Sequence, residues 1–326
     1  MKILFLRQKG EGFVGAPQAY HEFELAVGKI VECKWAGMGW LQFSAGESME
    51  QTVQRLYGDN PPDWVFDGDN NFKIPAERDY KVGYFVSDLH GKKSMDCDSS
   101  RQFLKLLQET NYDAVFLKYK YIYGVWPTPK DLFIKGLTDK AHFLPWSVDL
   151  RQFYPREKYF DVAFLGAVDR KRYPLRHKLW KELPKFCKEH KLRLLMKEAP
   201  PGKTFERRSR NLKYIVGDRY RDYLGKSRIL IFGSSKFKYP LQKYFEGMAS
   251  GCLVMADEPS SSEELHFVDG ASYIKISKHD WKEKLEYYSM HKEEAQRIAA
   301  KGREIVTEYH THDRRAKEFV EMLEFG

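Results

Sequence analysis

Apolar residues along this chain fall in short runs divided by polar, glycine-bearing loops and by longer amphipathic stretches, the pattern of strands alternating with helices. In the first half the runs are Lys2 to Arg7, Asp63 to Phe66, Lys81 to Val86, Ala114 to Leu117 and Ala141 to Leu144. In the second they are Phe160 to Gly166, Leu192 to Lys197, Leu212 to Val216, Arg228 to Phe232, Cys252 to Ala256 and Ser272 to Ile276. Each ends in polar residues, and helical periodicity fills the gaps, through to the charged helices of His291 to Phe325. Such alternation predicts an α/β protein with two Rossmann-like, doubly wound parallel sheets rather than a barrel of hairpins. The stretch Pro145 to Pro155 reads as a linker. The expected organisation is an N-terminal domain over 1–146, a C-terminal domain over 147–310, and a terminal helix over 311–326 packing back on the first domain. No repeat and no low-complexity tract suggests a solenoid or a disordered tail.

Composition agrees with this picture. The 326 residues, 42% of them hydrophobic, suit two domains with real cores. The opening MKILFLRQKG is too short an apolar run for a secretory leader, and no window approaches a membrane span, so a cytoplasmic protein is expected. Cys33, Cys97, Cys187 and Cys252 lie far apart without a CxxC pair, which reads as free buried thiols and indicates neither a disulfide framework nor a zinc site. His310 and His312 lack a carboxylate pattern for a metal and read as surface or capping residues.

The net charge of +9 is unevenly placed. Residues 1–150 carry 18 Lys and Arg against 20 Asp and Glu, which leaves 37 against 26 for the rest. Within the second half, Arg156 to Arg228 holds 22 basic and 9 acidic side chains, a density that suits a diphosphate or a polyanion nearby. A solvated helical face explains many of these residues. It does not explain Arg170, Lys171 and Arg172 together after a glycine-ended strand.

The segment Tyr239 to Leu265, YPLQKYFEGMASGCLVMADEPSSSEEL, carries the most chemistry. Glu246 opens a run of small residues, Gly247, Ala249, Ser250 and Gly251, that lets backbone approach a ligand or a packed strand. The polar loop from Asp257 to Ser262 follows the next strand, where open α/β sheets bind ligands. A carboxylate placed there suits the two hydroxyls of a ribose. An amphipathic helix, a glycine turn and a buried strand would give the same letters.

Taken with FLPWSVDLRQFYP, YFDVAFLGAVDRKRYPLR and AAKGREIVTEYHTHDRRAKEFVEML, this segment resembles the C-terminal half of the GT-B glycosyltransferases, nearest the spore-maturation-protein-like group, over residues 142–326. The resemblance implies two Rossmann-like domains facing a cleft, and transfer of a sugar from a nucleoside-diphosphate donor, UDP-linked, to a hydroxyl acceptor without a metal ion. It implies that Glu246 holds the donor ribose and that Gly166, Asp169, Arg170 and Lys171 meet the donor phosphates. Lys197 is a second phosphate candidate. Tyr214 to Gly217, with Tyr214 and Val216, would flank the base, and Ser234, Ser235 and Tyr239 would meet diphosphate or sugar. Larger retaining families carry a second glutamate eight positions before the first. Here that position is Lys238, so the paired signature is incomplete.

The catalytic side must come from the first half, where a base or a polar positioning group is needed. Asp88 and His90 in SDLHG follow a predicted strand and are the candidates, set against a plain helix cap. Gly10, Glu11, Gly12 and Gly15 form a glycine loop that fits GxGxxG by pattern alone, with Glu32 in the place of a ribose-binding acid, so a dinucleotide reading stays open for that element. Two further readings of the whole chain are a DNA glycosyltransferase, favoured by the basic block, and a GT-B-like sugar-nucleotide epimerase. A non-catalytic nucleic-acid-binding protein is disfavoured because no binding module is evident. The partners expected are thus the nucleotide-sugar and a hydroxyl acceptor, whether glycan, small molecule, protein or DNA.

Overall fold

The computed structural model describes residues 1–10, 16–68, 72–86, 100–122, 130–131, 139–198 and 214–325. Asp88, His90, Glu11 and Gly12 lie outside them, as do Gly15 and Cys97. The chain divides into two compact units. The first runs to Pro145 and takes in the chain again from Arg315, and the second is Trp146–Arg314.

In the first unit, strands β1 (Lys2–Leu6), β2 (Glu32–Trp35), β3 (Trp64–Asp67), β4 (Lys81–Val86), β5 (Ala114–Leu117) and β8 (Ala141–Phe143) form one sheet in the order β2-β1-β3-β4-β5-β8. Every pairing is parallel. The short strands β6 (Tyr121–Ile122) and β7 (Lys130–Asp131) pair antiparallel apart from it. Helices α1 (Ala16–Val27), α2 (Met49–Tyr57) and α3 (Ser100–Glu109) complete the crossovers that parallel strands require. The sequence pattern omits β2 because that strand is a half-exposed edge and has no apolar run. Glu32 stands opposite Lys2 at its start, the amino edge of the sheet. A ribose-binding acid belongs at the carboxyl edge, so the dinucleotide reading of this element is corrected. Gly10 has a packing role: a Cβ there would meet the Pro17 carbonyl oxygen at 2.1 Å.

The core of this unit is aromatic. Phe66, Phe85 and Phe116 on adjacent strands lie 4.9 to 5.7 Å apart by ring centroid. Gly83 makes room for them, since a Cβ there would come 2.2 Å from the Phe66 ring. The closing element is α9 (His312–Phe325), whose Phe319 ring lies within 5.5 Å of Phe23, Phe66, Phe85 and Phe116.

The second unit holds strands β9 (Phe160–Leu165), β10 (Leu194–Lys197), β11 (Ser227–Ile231), β12 (Leu253–Ala256) and β13 (Ile274–Lys275) in the order β10-β9-β11-β12-β13, all parallel. Its helices are α4 (Pro174–Glu189), α5 (Gly217–Gly225), α6 (Gln242–Ala249), α7 (Trp281–Met290) and α8 (Lys292–Tyr309). Helix α4 begins at a proline, whose missing N–H costs nothing in a first turn, and buries Leu175, Leu179, Leu183 and Phe186 along one stripe. These side chains pack on Val162, Phe164, Ile229 and Ile231. The expected strand from Leu212 to Val216 is not found in its described part: Tyr214 to Val216 are irregular, and Val216 caps the start of α5.

His310 and His312 are 2% and 6% exposed, so the surface reading is corrected, although His310 does cap α8. The linker meets the His312 side chain, and Phe245 and Phe267 pack on the His310 ring. Val148 bridges Thr311, Ser147 Oγ lies 2.8 Å from His312 Nδ1, and His310 Nε2 lies 3.0 Å from the Leu265 carbonyl oxygen. Cys187 and Cys252 are buried free thiols, pushed up to about 12 and about 11 chiefly by burial. Among the described residues no helix is long and apolar enough to cross a membrane.

Candidate functional site

Four strands of the second sheet end side by side at its carboxyl edge, the edge where open α/β sheets bind ligands. Strand β9 runs into Gly166, β10 ends at Lys197, β11 leads to Gly233 and Ser234, and β12 to Asp257. Helix α6 approaches this edge closely because Gly247 carries no side chain; a Cβ there would meet Leu230 at 2.7 Å and Val254 at 2.9 Å. With Gly247 against the strands, Lys243 and Glu246 three positions apart share another face of the same helix.

Glu246 is part-buried, and Tyr220 Oη of α5 donates to its Oε2 at 2.7 Å. Burial and then the adjacent Glu246 charge hold the Tyr220 phenol well above its ordinary range, so it is a fixed donor. Lys243 stretches over the Tyr220 ring, 5.2 Å from its centroid. Burial lowers the Lys243 ammonium from 10.5 to about 8, Glu246 opposing and Arg176 reinforcing the shift. Arg176 in the first turn of α4 is 3% exposed, donates its Nε to the Gly233 carbonyl at 2.5 Å and stacks over Tyr173. Burial lowers its pKa too, but a guanidinium stays charged.

These two cations converge on Gly166. A Cβ on that residue would lie 3.1 Å from Lys243 Cε and 3.3 Å from Arg176 Nη1, and its φ of +148° is one that side chains avoid. Neither α4 nor α6 has a side-chain cap on its N-terminal amides. A buried and a part-buried cation, a glycine and uncapped helix starts make an anion-binding environment, and the Glu246 carboxylate stands beside it.

Further along the edge, Asp257 Oδ1 accepts from the Ser234 N–H at 2.5 Å, and its Oδ2 accepts from Ser234 Oγ at 2.7 Å and from Lys238 Nζ at 2.8 Å. Tyr244 Oη donates to the Asp257 carbonyl. Lys238, in the left-handed region at φ +59°, leaves part of its ammonium outward.

Of the residues expected from sequence, the fold gathers Gly166, Glu246 and Ser234 at this edge. Ser235 is buried and its Oγ accepts from the Phe237 N–H at 3.3 Å, a turn contact. Tyr239 is 3% exposed and stacks on Phe237. Tyr214 accepts a hydrogen bond from Arg219 through its carbonyl, and Val216 is a buried cap. Arg170, Lys171 and Lys197 are exposed and take no part in the hydrogen bonds of Tyr220 to Glu246 and of Arg176 to Gly233 or in the stacking of Lys243 on Tyr220. Sequence reading passed over Arg176, Lys243 and Tyr220, and it reached Asp257 only as the start of the polar loop after β12. Lys243 had a signal, its spacing of three from Glu246, and Arg176 had one in an arginine sitting at a core position of α4. Among the described residues no group of three His, Cys, Asp or Glu side chains is placed to hold a metal ion.

The family model described as glycosyl transferase-like matches residues 150–321, more than half of the chain, and the protein belongs to that family. Solved structures align over nearly the whole chain. The Anabaena protein HepE in complex with UDP and glucose matches with a TM-score of 0.64 at 12% identity, covering 99% of each chain. An alpha-glucosyltransferase in complex with UDP and a mismatched 13-mer DNA gives 0.63 at 12%, again with 99% of each. Sucrose-phosphate synthase from Thermosynechococcus elongatus gives 0.60 at 10%, covering 99% of this chain and 98% of that one. These likenesses and the two parallel sheets show the GT-B fold. No curated protein matches the sequence.

Proposed function

We propose that this protein transfers a sugar from a nucleoside diphosphate, UDP, to a hydroxyl acceptor without a metal ion. The observation that carries the reading is the row of Glu246, Lys243, Arg176 and Gly166 along one sheet edge. In this reading Glu246 takes the ribose hydroxyls, oriented by Tyr220. Lys243 and Arg176 take the diphosphate across Gly166, and the loop of Ser234, Lys238 and Asp257 meets the sugar. As the bond from the anomeric carbon to the diphosphate oxygen breaks, negative charge grows on the leaving group. Two fixed cations in a water-poor setting stabilise that charge. The acceptor oxygen bonds to the anomeric carbon and gives up its proton, for which Asp88 and His90 remain the candidates.

The UDP in the HepE complex, a protein of the same fold, supports the choice of nucleotide. Membership of the spore-maturation-protein-like group within the glycosyl transferase-like family belongs to the same proposal. A thermal-shift series with UDP, ADP, GDP and their glucose conjugates tests it. A ligand that binds only the folded state at a hundred times its Kd stabilises by about 2.7 kcal/mol. UDP and UDP-glucose are expected to raise the unfolding temperature more than the other nucleotides. No shift with any of them would remove the donor reading.

A further inference from the structure

The basic block of the second half is neutralised unevenly. Away from the carboxyl edge many of the described charges are paired, Arg156 and Lys226 with Asp222, Arg193 and Arg228 with Asp161, Lys178 with Glu182, and Lys185 with Glu189, while Lys181 and Lys188 lie exposed along α4. Lys158 is spent on the carbonyls of Gly225, Ser227 and Ser250. At the edge the exposed cations sit on neighbouring loops. Lys197 after β10, Arg170, Lys171 and Arg172 after β9, and Lys236 after β11 are all exposed, and no acidic side chain pairs with them among the described residues. Strands β10, β9 and β11 are neighbours in that order, so the loops that carry these five cations leave a row of three strand ends about 4.8 Å apart. Two of the loops are joined, the Lys236 N–H donating to the Arg172 carbonyl at 2.8 Å. The one carboxylate in the β9 loop, Asp169, uses its Oδ1 to accept from the Arg172 N–H at 2.7 Å.

A diphosphate is already served by Arg176 and Lys243, and a single further anion cannot use five cations spread over three strand ends. A chain of regularly spaced phosphates can, and guanidinium groups match phosphate oxygens two at a time. None of the exposed large apolar side chains of the described residues lies on these loops, which leaves a membrane no foothold there. We propose that this row holds the phosphodiester backbone of a polynucleotide beside the donor site, so that the acceptor hydroxyl belongs to a nucleic acid. The proposal rests on the donor reading above.

The test measures affinity for a fluorescein-labelled DNA duplex of about 20 base pairs by anisotropy from about 50 to 200 mM salt, where each neutralised phosphate contributes about 0.9 to the slope of log K against log salt. The Arg172→Ala/Lys236→Ala variant is compared with Lys181→Ala/Lys188→Ala, which removes equal charge from exposed positions along α4. The first pair is expected to lower the slope by about 2 and the second to leave it unchanged, with UDP-induced stabilisation equal in all three proteins. Absence of duplex binding at the lowest salt, or equal loss in both variants, would overturn the proposal. So would binding to heparin but not to the duplex, which assigns the row to acidic polysaccharide. Loss of UDP stabilisation in the wild type counts against the donor reading instead, whatever the duplex result.

Discussion

Lys243 ties structure to chemistry most directly. Its ammonium is lowered to about 8 because burial on α6 strips its water while only one carboxylate, Glu246, compensates. A bound diphosphate would return the missing charge and raise the pKa toward its ordinary 10.5. Binding then takes up a proton between about pH 8 and 10.5, so UDP affinity is flat below pH 8 and falls as pH rises above it. Calorimetric titrations from pH 7 to 9.5 should show up to tenfold weaker binding per pH unit at the upper end. Lys243→Gln should bind weakly and without that slope. A wild-type affinity constant across the range would remove Lys243 from the phosphate site. Glu246 was legible in the sequence because its run of small residues is local. Arg176 was not, because it reaches the edge through a long-range packing that no short segment encodes.

At the level of elements, strands with an apolar run were legible, the edge strands β8, β10 and β13 among them. Strands β4 and β5 fall where their apolar runs end, since a strand covered on both faces must be apolar throughout. Strand β2 at the rim of its sheet carries little of that signal. Helix α9 shows how far apart in sequence one core is assembled: Phe319 closes rings contributed by β3, β4 and β5. Phe319→Ala should cost about 3–5 kcal/mol, read by chemical denaturation, and lower the transition of the first unit. A loss below about 1 kcal/mol would mean that α9 is not part of that core. The two histidines before it were misplaced from sequence because basic, helix-periodic neighbours look like a surface. Their cover comes from far along the chain, Ser147 of the linker for His312 and Phe245 and Phe267 for His310.

For the whole molecule, the alternation of runs and helices was enough to define two parallel-sheet units, and the charge imbalance between halves was visible by counting. Counting did not reveal which charges are spent. Ion pairs consume several of those on the flanks of the second unit, a distinction that exists only once α4, α5 and the sheet are assembled. The central claim is that this edge holds a nucleoside diphosphate through Glu246 and its neighbours. Its most direct test is a calorimetric UDP titration of the wild type beside Glu246→Gln, a change that keeps an acceptor for Tyr220 Oη. Losing a charged partner for two ribose hydroxyls should weaken binding about 10- to 100-fold, with the unfolding temperature of the free protein unchanged. Equal UDP affinity in the two proteins would contradict the account.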